Sequence, residues 1–143
     1  MTDARNSQER YCGPRVLLVE DEPRARGAIA EALDEAGLPV AGAASAEAAL
    51  RAAATDPAGP PPAVLVTNIE QAVPGNGMDG LGLAEEARRR LPGLGVVYVT
   101  GRRSGLDGQV LRARDRFLPR PVQRAALVRA VRGLVGALKR YRS

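Results

Sequence analysis

Five short apolar runs alternate with segments of helical periodicity, and this alternation limits the fold more than any other feature of the chain. Arg15-Val16-Leu17-Leu18-Val19 reads as a buried strand. Asp21, Glu22 and Pro23 follow as a helix start, with acids near the positive helix end and proline in the first turn. Ile29, Leu33 and Ala36 continue at helical spacing, and Gly37 closes the helix. Val40 to Ala44 is a weaker second strand, and Ser45 caps a short alanine-rich helix to about Ala54. The proline-rich stretch Asp56 to Pro62 is a loop. Ala63 to Thr67 is a third strand, apolar without alternation, as a parallel strand covered on both faces should be. A long loop spans 68–78, Asp79 starts a helix to about Leu91, and Leu94 to Thr100 is the fourth strand. Residues 104–114 form a poor helix, interrupted by Gly105 and Gly108. Arg116-Phe117-Leu118 is a short fifth strand. The last helix opens at Pro121 or Val122 and carries the apolar stripe Leu127, Val131, Leu134 and Leu138.

This pattern is (βα)5. It predicts an α/β three-layer sandwich of flavodoxin-like topology, with a five-stranded parallel sheet in the order 2-1-3-4-5. One domain over residues 14–140 is expected, between a polar tail at 1–13 and a short tail at 141–143. Sites in such sheets lie beyond the carboxyl ends of the strands. Those ends carry Glu20-Asp21-Glu22, Asn68, Thr100-Gly101 and Pro119-Arg120.

Composition narrows the chemistry. The 143 residues contain no histidine, which excludes an imidazole base, a histidine-paired nucleophile and histidine-ligated metal. The single cysteine, Cys12, excludes an internal disulfide and a thiolate zinc site. Lys139 is the sole lysine among 21 basic residues, so there is no P-loop. The segment Met1 to Pro14 has no apolar run of the signal-peptide kind, and no stretch is long enough to span a membrane. A cytoplasmic protein without membrane contact is expected. Charge is polarised: residues 1–87 carry net −8 and residues 88–143 net +13.

Three acids at the end of the first strand would repel phosphate, so a bare nucleotide site does not fit there. They suit a hard cation or an arginine. For Glu22 alone, helix capping is the simpler role; Glu20 and Asp21 read as part of a site because other strand ends supply matching groups.

Four segments, in this order and at these strand ends, resemble a receiver domain of the two-component response regulators over about residues 14–138. They are Val16-Leu17-Leu18-Val19-Glu20-Asp21-Glu22, Met78-Asp79-Gly80-Leu81, Val97-Tyr98-Val99-Thr100-Gly101 and Phe117-Leu118-Pro119-Arg120-Pro121. By resemblance, Glu20 and Asp21 match the family's acid pair, which holds Mg²⁺. Thr100 matches the switch hydroxyl and Phe117 the switch aromatic. The backbone carbonyl of Glu70 falls at the position of a third metal ligand.

Two positions depart from the family pattern. Asn68 stands where the family has its phosphoryl-accepting aspartate, and an amide is too poor a nucleophile to form an acyl phosphate. Arg120 replaces the family's lysine; it keeps the charge, but its planar fork reaches farther and can pair with Glu20 or Asp21 without a metal. The spacing from Asn68 to Gly80 is also four residues longer than the family pattern.

The resemblance therefore implies a stand-alone, degenerate receiver-like signalling protein, not an enzyme. No cofactor is required, and Mg²⁺ binding is weakened. The implied partner is a histidine kinase or another signalling protein, engaged through the fourth helix, fifth strand and fifth helix; homodimerisation stays open. Two alternatives remain: a receiver phosphorylated on another carboxylate, Glu70 or Asp79, and a nucleic-acid-binding protein using the basic C-terminal third. No recognition helix or aromatic platform supports nucleic acid. An α/β enzyme with a metal at Glu20 and Asp21 is a further alternative. Gly75 to Gly80 matches GxGxxG only formally, since it does not follow a strand directly. Arg88-Arg89-Arg90 is expected to complement the negative end of its own helix.

Overall fold

A computed structural model describes residues 16–45, 48–51, 62–69, 80–101 and 112–142, with side chains to 136. The expected tail at 1–13 with Cys12, most of the poor helix at 104–114, Glu70 and Asp79 lie outside the described residues. So do the Gly75 to Asp79 part of the GxGxxG match and the side chains of Leu138, Lys139 and Arg140.

Five strands form one parallel sheet in the order β2-β1-β3-β4-β5, as the sequence pattern predicts. They are β1 (Val16–Val19), β2 (Val40–Ala43), β3 (Val64–Asn68), β4 (Gly95–Thr100) and β5 (Asp115–Pro119). The helices are α1 (Pro23–Glu35), α2 (Gly80–Arg90) and α3 (Arg124–Arg142), with a further helical turn at 48–51. α3 begins two or three residues later than expected and runs past position 140, so the expected C-terminal tail is helical through Arg142.

Strand residues alternate between two cores. Val16, Leu18, Val64, Val66, Val97, Val99 and Leu118 pack with Ile29, Leu33, Leu127, Val131 and Leu134, beneath α1 and α3. Leu17, Val19, Leu65, Val96 and Tyr98 pack with Ala49, Leu83, Ala84 and Ala87, beneath α2 and the 48–51 turn. β1, β3 and β4 are buried along their whole length, while the edge strands β2 and β5 are partly exposed. That explains why the three central strands read as continuous apolar runs and the two edges do not.

Local signals set the helix ends. Glu22 is the N-cap of α1, its carboxylate accepting from Ala25 N at 2.8 Å and Arg24 N at 3.3 Å. At the other end Gly37 adopts φ 80°, its N–H donates to Asp34 O, and Leu38 N donates to Leu33 O. This closes the helix with both carbonyls satisfied and Leu38 turned into the core. Ser45 caps the 48–51 turn through Oγ to Ala48 N at 3.2 Å.

Candidate functional site at the carboxyl ends of the strands

Register brings the site together. β1 and β3 align Val19 with Thr67, so Glu20 and Asn68 follow side by side. β4 and β5 align Thr100 with Pro119, which puts Arg120 just past the sheet. Main-chain bonds extend the ladder: Glu20 N to Ala43 O at 3.1 Å, Ile69 N to Val99 O at 2.9 Å, and Arg120 N to Thr100 O at 3.0 Å. The Arg120–Pro121 peptide is cis.

Glu20 is the centre of this group. Its side chain is 2% exposed, against 31% for Arg120. Arg120 Nη2 donates to Glu20 Oε1 at 2.5 Å. The other oxygen, Oε2, accepts from Glu22 N at 3.1 Å and, weakly, from Asn68 Nδ2 at 3.5 Å. The Glu20 carbonyl accepts from Arg26 Nη1 at 2.9 Å. A carboxylate taken this far from water needs such partners, because unpaired burial is costly.

The arginine therefore reaches Glu20, as its length and charge suggest, but through one nitrogen rather than a fork. The reason is local. The turn after β1 points the Glu22 N–H at Glu20 Oε2 and leaves one oxygen for the guanidinium. Asp21 sits half-buried beside this pair, and Thr100 is buried at the end of β4. Phe117 lies further back along β5, half-buried and in register with Tyr98.

The start of α2 is pressed onto the end of β3. A methyl group at Gly80 would lie 2.5 Å from Asn68 O and 2.8 Å from Ile69 Cα, and Gly80 N points at Ile69 O at 3.4 Å. The longer spacing between Asn68 and Gly80 thus leaves α2 packed against the strand end. Only a residue without Cβ fits there.

The donor set bears on the divalent cation that the resemblance implies. Glu20 already accepts at both oxygens, and the nearest donors are N–H groups that would face an incoming cation. Asn68 supplies an amide where a third carboxylate would be needed. Among the described residues no three His, Cys, Asp or Glu side chains gather as a metal site. A hard cation, which prefers several oxygen ligands, would have to displace the Arg120 guanidinium to reach Glu20 Oε1.

Arg88 was expected to serve the negative end of its own helix, but it turns inward. Its two Nη atoms donate to Tyr98 Oη at 3.4 and 3.1 Å, and Nη2 lies 3.5 Å from Asp115 Oδ2. Arg112 N donates to the same Asp115 oxygen at 2.8 Å. Burial pushes the Tyr98 hydroxyl above its ordinary pKa, with Arg88 opposing the rise and Asp115 adding to it. Arg89 and Arg90 pair with Glu86 instead. On α3, Arg124 pairs with Glu35 and Arg132 donates to Ala36 O, so part of the basic charge of the last helix ties it to α1.

A family model for the response regulator receiver domain matches residues 16–132. No curated protein matches the chain. Among solved structures, a response regulator receiver protein from Sinorhizobium medicae is 26% identical, with 85% of this chain and 94% of that chain covered and a TM-score of 0.72. The receiver domain of NtrX from Brucella abortus is 28% identical over 82% of this chain and 98% of that one, with a TM-score of 0.64. A CheY-like receiver domain protein from Methanospirillum hungatei, 20% identical over 89% of this chain and 97% of that chain, shares the fold with a TM-score of 0.72. With its strand order, its strand-end acids and this match over most of its length, the chain belongs to the response regulator receiver domain family.

Proposed function

We infer that this receiver domain does not accept a phosphoryl group at the expected position and signals by protein–protein contact rather than catalysis. The observation that carries this reading is Asn68. It occupies the end of β3, is 8% exposed, and donates through Nδ2 toward Glu20. An acceptor must instead present a nucleophilic oxygen, and an amide offers none that forms an acyl phosphate. The partner is a histidine kinase or an output protein, for which this domain competes with a phosphorylatable receiver.

The surface around β5 and α3 supports an acidic partner. Arg116, Arg124, Arg129 and Arg132 are exposed there. No helix of the described residues is long and apolar enough to cross a membrane. The test is incubation with acetyl phosphate and Mg²⁺, followed by intact mass. An unchanged mass supports the reading, and addition of one phosphoryl group overturns it. Tight, steeply salt-dependent binding to duplex DNA would instead favour the nucleic-acid reading.

A further inference from the structure

We propose that the Arg120 guanidinium is the built-in cation of this domain, holding Glu20 closed against divalent metal. The proposal rests on the reading of Asn68 as a non-acceptor, since a site that never carries phosphate has no need of a metal to neutralise it.

Three observations support it. First, Arg120 Nη2 pairs with Glu20 Oε1 in a place where the carboxylate is almost wholly out of water. Second, the rest of the Glu20 carboxylate is claimed by N–H donors: the Glu22 main chain at 3.1 Å and the Asn68 amide at 3.5 Å. A metal ion would have to displace the guanidinium and then sit beside those two donors. Third, Arg120 is held in place from behind. Its own N–H is bonded to Thr100 O at 3.0 Å, so the side chain starts from a strand end that the sheet fixes.

The chemistry of the two cations differs in a way that matters for regulation. A guanidinium stays charged across the whole physiological pH range and cannot be washed out or chelated. The charge that ties the end of β1 to the end of β5 is therefore part of the chain itself, whereas a bound metal would make such a tie depend on ion concentration. Arg120 takes the role of a fixed cation, and Asn68 leaves the group one carboxylate short of the three that the family pattern would supply.

The test uses Mn²⁺ as the probe, with free ion read by its electron spin resonance signal, on the full chain. Arg120→Gln is expected to bind Mn²⁺ at least about tenfold more tightly than the wild-type chain, because it frees a buried carboxylate. Adding Glu20→Gln to that variant should remove the gain. Equal affinity in wild type and Arg120→Gln overturns the proposal, as does a gain that survives Glu20→Gln. Circular dichroism checks folding; should Arg120→Gln fail to fold, Arg120→Lys keeps the charge on a shorter stem and should also gain affinity, and no gain there counts against the proposal. Intact mass after acetyl phosphate is read on the same wild-type sample. A phosphorylated wild type sinks the reading of Asn68, whereas equal Mn²⁺ affinities sink the lock alone.

Discussion

Arg120 and Glu20 are a hundred residues apart in sequence and 2.5 Å apart in space, and their ion pair joins the end of β5 to the end of β1 across the mouth of the sheet. Their exposures are unequal, with Glu20 buried and Arg120 about one-third open. Removal of the arginine thus strands a buried charge, whereas removal of both partners does not.

Arg120→Met should lower unfolding stability by about 3 kcal/mol, near the lower end for a broken buried pair because solvent reaches the arginine side. The double variant Glu20→Gln with Arg120→Met should recover part of that loss. Urea midpoints for the four members of the cycle give the coupling energy, and additive effects would show that the pair contributes no net coupling.

Glu22 offers a contrast within the same acidic cluster. It is exposed and caps α1 through Ala25 N and Arg24 N. Glu22→Ala should cost about 1 kcal/mol, the usual worth of an N-cap. It should leave Mn²⁺ binding unchanged, which isothermal titration can check against the Glu20 variants.

Gly80→Ala should be more damaging than its size suggests. The added methyl would meet Asn68 O at 2.5 Å, a main-chain atom that cannot rotate away. A loss of about 2 kcal/mol or more is expected, because relief requires α2 to move off the strand end. Gly133→Ala on α3, where nothing lies within 4 Å, is the matched control and should be neutral or slightly stabilising.

Tyr98 predicts an alkaline response. Burial raises its pKa in the folded chain above the ordinary value of 10.0. The folded state therefore holds the phenol proton after the unfolded state has lost it. This contribution is intact below about pH 10 and is lost as pH rises through the folded pKa. Urea midpoints of the wild type should begin to fall as pH rises above about 10, and fall less in Tyr98→Phe. Absorbance of tyrosinate should show one phenol titrating later than the others.

The order of the sheet, and with it which strand ends lie together, was legible because it follows from short-range signals. Apolar runs of strand length mark β1, β3 and β4, and parallel order then places Glu20, Asn68, Thr100 and Arg120 at one end. The cap at Glu22 and the stop at Gly37 were legible for the same reason. The Arg88, Tyr98 and Asp115 group was not, because it depends on how α2 lies over the β4–β5 register. In sequence, Asp115 stands between Arg114 and Arg116 and looks like surface charge. The need for glycine at position 80 was equally hidden, since the longer spacing after Asn68 gave no hint that the helix returns to the strand. The single-nitrogen contact of Arg120 depends on the Glu22 N–H, a main-chain direction that residue types do not encode.

The central claim is that Asn68 is what bars phosphoryl acceptance, with Arg120 a further obstacle. The direct measurement is intact mass after acetyl phosphate and Mg²⁺ for four chains: wild type, Arg120→Lys, Asn68→Asp, and Asn68→Asp with Arg120→Lys. Wild type and Arg120→Lys should stay unmodified. Asn68→Asp should gain a phosphoryl group, and the double variant should gain it more completely. A phosphoryl group on the wild-type chain, or none on either chain carrying Asn68→Asp, would contradict the claim.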